Sequence, residues 1–156
     1  VVNVQGDAPL IPPSAIGQVA RLLGSAPDEA IATLCTPIAN RDDYLNPHVV
    51  KVVCDRAGRA LYFSRAPIPA ESHGSPAGLP ECFRHVGLYA YRAGALRELA
   101  AAPPCALERA ESLEQLRALW LGLGIRVAVA GDLLGPDVDT PEDLERAAAF
   151  LARRGG

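Results

Sequence analysis

Apolar runs and helical periodicities alternate along the chain. Val1, Val2 and Val4 form a short apolar run that stops on Asp7, the pattern of a parallel strand buried on both faces. Pro13 and Ser14 open a helix in which Ile16, Val19, Ala20 and Leu23 recur at i, i+3, i+4 and i+7, and Gly24 ends it. Residues 31–35 read as a strand. Residues 49–54 read as another, interrupted by Lys51, with Asp55-Arg56-Ala57-Gly58 as a hairpin turn into 60–63. The middle of the sheet is therefore expected to be partly antiparallel. Residues 64–83 carry Pro67, Pro69, Gly74, Pro76, Gly78 and Pro80, too many breakers for a regular element, and predict a mobile or partner-contacting loop.

Strand character returns at 85–91, followed by an Ala/Leu helix from Ala93 that Pro103 and Pro104 terminate. A longer helix is predicted over about 106–121, with Leu113, Leu116 and Trp120 on one face and Glu111, Glu114, Gln115 and Arg117 elsewhere on the cylinder. Val127 to Val129 is again strand-like. Thr140, Pro141 and Asp143 mark the start of a last helix whose buried stripe would be Leu144, Ala147, Ala148 and Leu151. Strands alternating with helices indicate an α/β fold with helices packed on a sheet.

A length of 156 residues, 49% of them hydrophobic, is enough for one domain with a real core. The sequence has no methionine and opens inside a strand, so the expectation is a fragment: residues 1–156 as the C-terminal part of a single doubly wound domain whose N-terminal nucleotide-binding half is absent. A net charge of −3 without any Lys/Arg run gives no footprint for nucleic acid. No stretch approaches the ~18 apolar residues of a membrane span. Cys35, Cys54, Cys82 and Cys105 show neither a CxxC pair for zinc nor the density of a disulfide framework, and fit a reducing cytoplasm.

Candidate chemistry begins with position. In open α/β sheets ligands bind beyond the carboxyl ends of the strands, where Asp7 and Asp139 both fall, and two strand-end carboxylates suggest a site for a metal ion and phosphate. Taken singly, each aspartate reads equally well as a turn or helix cap.

Five blocks make a resemblance specific: VVNVQGDAPLIPP, NPHVVKVVCDRAGRALYFSRAPIP, RHVGLYAYRAG, ESLEQLRALW and VDTPEDLE. In order and approximate spacing they resemble the 3-deoxy-manno-octulosonate cytidylyltransferases, the CMP-Kdo synthetases of lipopolysaccharide biosynthesis. The blocks cover most of residues 1–151, although VDTPED alone recurs in other sugar nucleotidyltransferases. The family's N-terminal Arg/Gly/Lys-rich loop that grips CTP has no counterpart in the chain. The resemblance implies a three-layer α/β/α fold of the nucleotide-diphospho-sugar transferase type, here incomplete and with a mixed sheet region. It also implies transfer of CMP from CTP to 3-deoxy-D-manno-octulosonate (Kdo), a cytoplasmic homodimer, and no activity for the chain alone.

The resemblance further assigns residues. Asp7 and Asp139 would be the catalytic ligands of a magnesium ion, Mg2+, which commonly takes only one or two protein carboxylates. Gln5, Arg65, His85, Tyr89, Glu114 and Gln115 would bind the sugar acid. His85 and Tyr89, four apart in a strand, share one face. Glu114 and Gln115 lie about 100° apart on a helix, so at most one points straight into a site. Each of these residues also has an ordinary reading: a solvated Arg at a loop start, half-buried strand residues, a solvated helix face. Departures from the family are Ala8 in place of Glu, Ala70 in place of Trp, a shorter segment after Ala70, and Asp137 where small residues are usual. Two other readings remain: a cytidylyltransferase for another sugar acid such as an acylneuraminate, against which RHVGLYAYR and ESLEQLRALW argue, and a non-catalytic assembly module.

Overall fold

The longest strand, β5 (Phe83–Tyr91), is the spine of the sheet, because its alternation sends Val86, Leu88 and Ala90 to one core and His85, Tyr89 and Tyr91 to the other face. The computed structural model describes residues 1–6, 8, 10–71, 79–132, 144–145, 147–149 and 152. Around β5 stand β1 (Val2–Val4), α1 (Pro13–Ser25), β2 (Ile31–Pro37), α2 (Arg41–Leu45), β3 (Lys51–Cys54), β4 (Ala60–Ser64), α3 (Ala93–Ala101), α4 (Ala106–Glu111), α5 (Gln115–Trp120) and β6 (Ile125–Val129). The strand order is β4-β3-β5-β2-β6, with β1 joined to β5.

The sheet is mixed, as the turn chemistry of its middle predicts: β3 and β4 form an antiparallel hairpin, β2 runs antiparallel to β5, and β2 and β6 are parallel. Helices cover both faces. Ala15, Val19 and Leu23 of α1 pack with Ala32, Leu34, Val86 and Leu88 on one side. Leu99 of α3 and Leu113, Leu116 and Ala118 around α5 pack with Ile31, Phe63 and Ile125 on the other. This is the three-layer α/β/α arrangement, and each fully buried aliphatic side chain in it contributes roughly 1.5–3 kcal/mol.

Three expectations need correction. The run Val2–Val4 is neither parallel to its neighbour nor buried: β1 lies antiparallel along β5 with all three side chains exposed, because β5 is its sole strand partner among the described residues. The single helix over 106–121 is two short helices. Cys105 and Glu108 close a capping box that starts α4, and Ser112, in the left-handed region at φ 53°, turns the chain so that Leu113 and Leu116 reach the core. That turn takes Trp120 off the buried face and leaves it 63% exposed. Of the stripe predicted for the last helix, Ala147 is buried but Leu144 and Ala148 are exposed; Leu151 and the Thr140, Pro141 and Asp143 start signal lie outside the described residues.

The sheet also curls. Val127 donates its N–H to the Gly58 carbonyl (2.8 Å), bringing the β3–β4 turn onto β6. Gly58 sits at φ 81°, and a Cβ there would lie 3.0 Å from the Val127 carbonyl, so this turn requires glycine. A cavity of about 560 Å³ lies inside the curl, lined by Cys35, Val52, Cys54, Phe83 and Val127 with Asp55 and Glu81 among its polar residues. All four cysteines are free thiols, and among the described residues no helix is long and apolar enough to cross a membrane.

Candidate active site

The local event that shapes the site is an irregularity in β5. Thr33 opposes Tyr89 but Leu34 opposes Val86, so β5 advances three residues for one on β2, and Gly87 and Leu88 are the extra ones. Alternation survives an insertion of two. His85 stands opposite Cys35 and Tyr89 opposite Thr33, which puts both rings on one face as their spacing predicts. Their centroids are 5.2 Å apart, and Phe63 meets His85 edge-on at 5.0 Å.

His85 and Tyr89 are buried. Burial, with Arg84 adding to it, pushes the His85 imidazole down to about 3, so the ring is neutral at physiological pH. The Tyr89 hydroxyl is pushed well up by burial and then by the Glu114 carboxylate, which makes it a stable hydrogen-bond donor. Gln5 follows β1 and lies beside Gly87, where a Cβ would come within 3.5 Å of its amide. The Gln5 amide donates to Glu114 Oε1 at 3.4 Å, across 109 positions of sequence. The structure thus gathers Gln5, His85, Tyr89 and Glu114 over the β1–β5 seam.

Glu114 is exposed and Gln115 is 5% exposed, the divergence that helical geometry demands of neighbours. The Gln115 amide makes no hydrogen bond among the described residues, and neither of its polar atoms is a fully buried one. Arg65 extends one step beyond Ser64 on the Phe63 face. Its guanidinium donates to the carbonyls of Glu111 (2.7 Å), Pro47 (3.1 Å) and Ser112 (3.4 Å). Among the described residues no carboxylate stands within ion-pair distance of it, so its charge is oriented but not neutralised. Asp7 and Asp139 lie outside the described residues. The strands that lead to them, β1 and β6, run in the same direction, both parallel to β2, and are three strand spacings or roughly 14 Å apart.

Sequence reasoning missed the supports. Lys51 is the sole lysine and is fully buried, its ammonium donating to the carbonyls of Asn46 (2.8 Å), Val49 (2.6 Å) and Arg65 (2.7 Å). Burial and then the Arg65 guanidinium lower its pKa, while three acceptors match its three protons. Glu111 accepts from the Ser64 hydroxyl (2.7 Å) and the Arg65 N–H (2.8 Å). A lysine alone inside an apolar strand was the available signal.

A family model described as Cytidylyltransferase matches residues 1–125. The chain belongs to the cytidylyltransferase family. This cytidylyltransferase chain is 52% identical over 158 aligned residues to the 3-deoxy-manno-octulosonate cytidylyltransferase of Thioalkalivibrio sulfidiphilus, an alignment covering 97% of the chain and 62% of that relative. It is also 52% identical to the protein of the same name from Nitrosococcus oceani, covering 97% of the chain and 61% of the relative. A solved structure of CMP:2-keto-3-deoxy-manno-octonic acid synthetase complexed with CTP superposes with a TM-score of 0.88 at 38% identity, over 98% of the chain and 61% of that protein. The cytidylyltransferase fold is thereby established, and the chain spans about three fifths of the length of the relatives it matches.

Proposed function

We propose that the chain forms the sugar-acid side of an enzyme that transfers CMP from CTP to Kdo, releasing pyrophosphate. The observation that carries this reading is the convergence of Gln5, His85, Tyr89 and Glu114 over the β1–β5 seam. Kdo combines a carboxylate with many hydroxyls and calls for a site of mixed donors and acceptors plus a cation. Gln5, Gln115 and Tyr89 offer amide and phenol groups, His85 and Glu114 offer acceptors, and Arg65 offers an oriented positive charge. The names of relatives at 52% identity support the same substrate.

In the reaction, an oxygen of the anomeric hydroxyl forms a bond to the α-phosphorus of CTP as the bond from that phosphorus to the oxygen bridging it to the β-phosphorus breaks. Pyrophosphate leaves and the hydroxyl proton passes to solvent or a base. Asp7 and Asp139 are the proposed ligands of Mg2+, whose contribution when bound is to neutralise charge on the phosphates. Strands β1 and β6 running toward the same end of the sheet support that pairing. Arg65 and the amides of Gln5 and Gln115 orient the sugar acid, so that its hydroxyl meets the phosphorus in line. The reading includes a cytoplasmic homodimer serving lipopolysaccharide synthesis; the four free thiols support the compartment.

The test joins this chain to the part of a longer relative that it does not match and measures pyrophosphate release from CTP plus Kdo with magnesium. Turnover with Kdo that exceeds turnover with an acylneuraminate supports the reading, and its reverse overturns the sugar assignment. Asp7→Ala and Asp139→Ala each abolish that turnover if they hold the ion; near-normal rates in either variant remove it from the metal site. By isothermal calorimetry the 156-residue chain alone shows no saturable binding of CTP, and clear saturation would show that it carries the nucleotide loop itself.

A further inference from the structure

Thr33 sits at the centre of β2, fully buried, with three polar atoms around its hydroxyl. His85 Nε2 is 3.0 Å away, the Val86 carbonyl 3.0 Å and the Leu88 carbonyl 2.9 Å. Both carbonyls flank Gly87, at the two-residue insertion in β5. A hydroxyl has one proton and two lone pairs, and the carbonyls can only accept. If Nε2 were the bare nitrogen of the imidazole, a single proton would face three acceptors. If Nε2 carries the hydrogen, the hydroxyl accepts from the ring and its one proton is shared between the two carbonyls, so that every contact pairs a donor with an acceptor. The ring is neutral, so it has one N–H, and placing it on Nε2 leaves Nδ1 with its lone pair. Nδ1 has no hydrogen-bond partner among the described residues.

We propose that Thr33 is a positioning residue that locks His85 as its Nε2–H tautomer, so that Nδ1 serves as a hydrogen-bond acceptor for a hydroxyl of a polyhydroxylated sugar acid. The second half of the statement rests on the function proposed above. Because the ring stays neutral, His85 acts by orienting a hydroxyl and not by storing a proton. The β5 insertion acquires a purpose: it turns two carbonyls onto one side-chain oxygen and so dictates which imidazole nitrogen faces outward.

Long-range proton–nitrogen correlation NMR on the 15N-labelled chain at pH 7 reads the tautomer without substrate. The chain has three histidines, and loss of one ring pattern in His85→Gln assigns the signals. The expected pattern for His85 is an unprotonated Nδ1 and a protonated Nε2. Thr33→Ser preserves it, whereas Thr33→Val, or Thr33→Ala should the valine variant not fold, shifts both nitrogens toward a tautomer mixture. A protonated Nδ1 in the parent chain, or an unchanged pattern in both variants lacking the hydroxyl, overturns the lock. In the active chimera, Thr33→Val raises the KM for Kdo about tenfold, the size of one lost hydrogen bond, with the KM for CTP unchanged and Thr33→Ser close to parent. A change confined to CTP would refute the acceptor role of Nδ1. Failure of Kdo as substrate would refute the functional reading and leave the tautomer assignment standing on its spectrum.

Discussion

Lys51 donates to the Arg65 carbonyl at 2.7 Å, tying the start of β3 to the residue that leaves β4 with a guanidinium held at the C-terminal end of α4. Two more carbonyls, of Asn46 and Val49, complete the ammonium's shell. Lys51→Met keeps the volume and removes all three donors. The Asn46 carbonyl keeps the Val49 N–H at 3.1 Å, so the carbonyls of Val49 and Arg65 are the ones left unpaired; at about 1–3 kcal/mol each, less where water or a small shift can reach them, a net loss of about 3 kcal/mol is expected. Urea unfolding should show a lower midpoint at unchanged slope. A midpoint equal to that of the parent would mean that the carbonyls find other donors and that Lys51 does not hold Arg65.

This staple marks the boundary of what the sequence disclosed. The α1 periodicity and the Asp55 to Gly58 turn were legible because each follows from local backbone chemistry. So was the shared face of His85 and Tyr89, since an insertion of two residues leaves alternation intact; an insertion of one would have separated them. Lys51 was visible only as a blemish in an apolar strand, because its partners lie on three segments that no short window contains. The break at Ser112 carries no glycine to announce it, and tertiary burial of Leu113 and Leu116 overrides a pattern that continues helically through Trp120. Val2 and Val4 misled for the opposite reason: apolarity foretells burial only if a second layer or strand arrives, and β1 has one strand neighbour among the described residues.

Glu29 and Gly124 provide a second test. The Glu29 carboxylate is 4% exposed, bonded to Arg59 at 3.0 Å and close to Arg126 at 3.7 Å, while its Oε2 is buried without a partner. A Cβ on residue 124 would fall inside the contact distance of that same Oε2. Gly124→Ala must therefore displace the carboxylate from its two arginines, and a loss of about 2–3 kcal/mol is expected. In a Glu29→Ala background the same substitution should cost much less, giving a coupling above about 1 kcal/mol in a double-mutant cycle. Additive losses would show that Gly124 is constrained by something other than Glu29.

Arg117 binds α3, α4 and α5 into one unit. Its guanidinium contacts both oxygens of Glu108 at 2.7 and 2.5 Å and the carbonyls of Leu99 and Ala102 at 3.2 and 2.9 Å. The Arg117 hydrogen bond is the main cause that holds the Glu108 carboxyl below its ordinary value. A depressed carboxylate contributes stability above the normal glutamate range, and that contribution is lost as pH falls through the folded-state value. Glu108→Gln should therefore be less stable than the parent at pH 7, with the gap closing below about pH 4. A gap that stays constant down to pH 3 would assign the loss to packing.

His85 titrates in a separate window. Its folded value of about 3 lies below the ordinary 6.5, so the unfolded chain binds a proton that the folded chain refuses. Between these values the unfolded state carries more protons, and folding stability falls as pH is lowered from about 6.5, at up to about 1.4 kcal/mol per pH unit. The effect begins well above the range in which Glu108 responds, which lets the two be separated in one pH series of urea titrations. In His85→Gln the slope between pH 6 and 5 should flatten even if the variant is less stable overall, because slope reports proton uptake and not packing. A parent chain whose stability is level from pH 7 to 5 would require His85 to remain accessible to protons, and with that the neutral, singly protonated ring on which Thr33 acts would be lost.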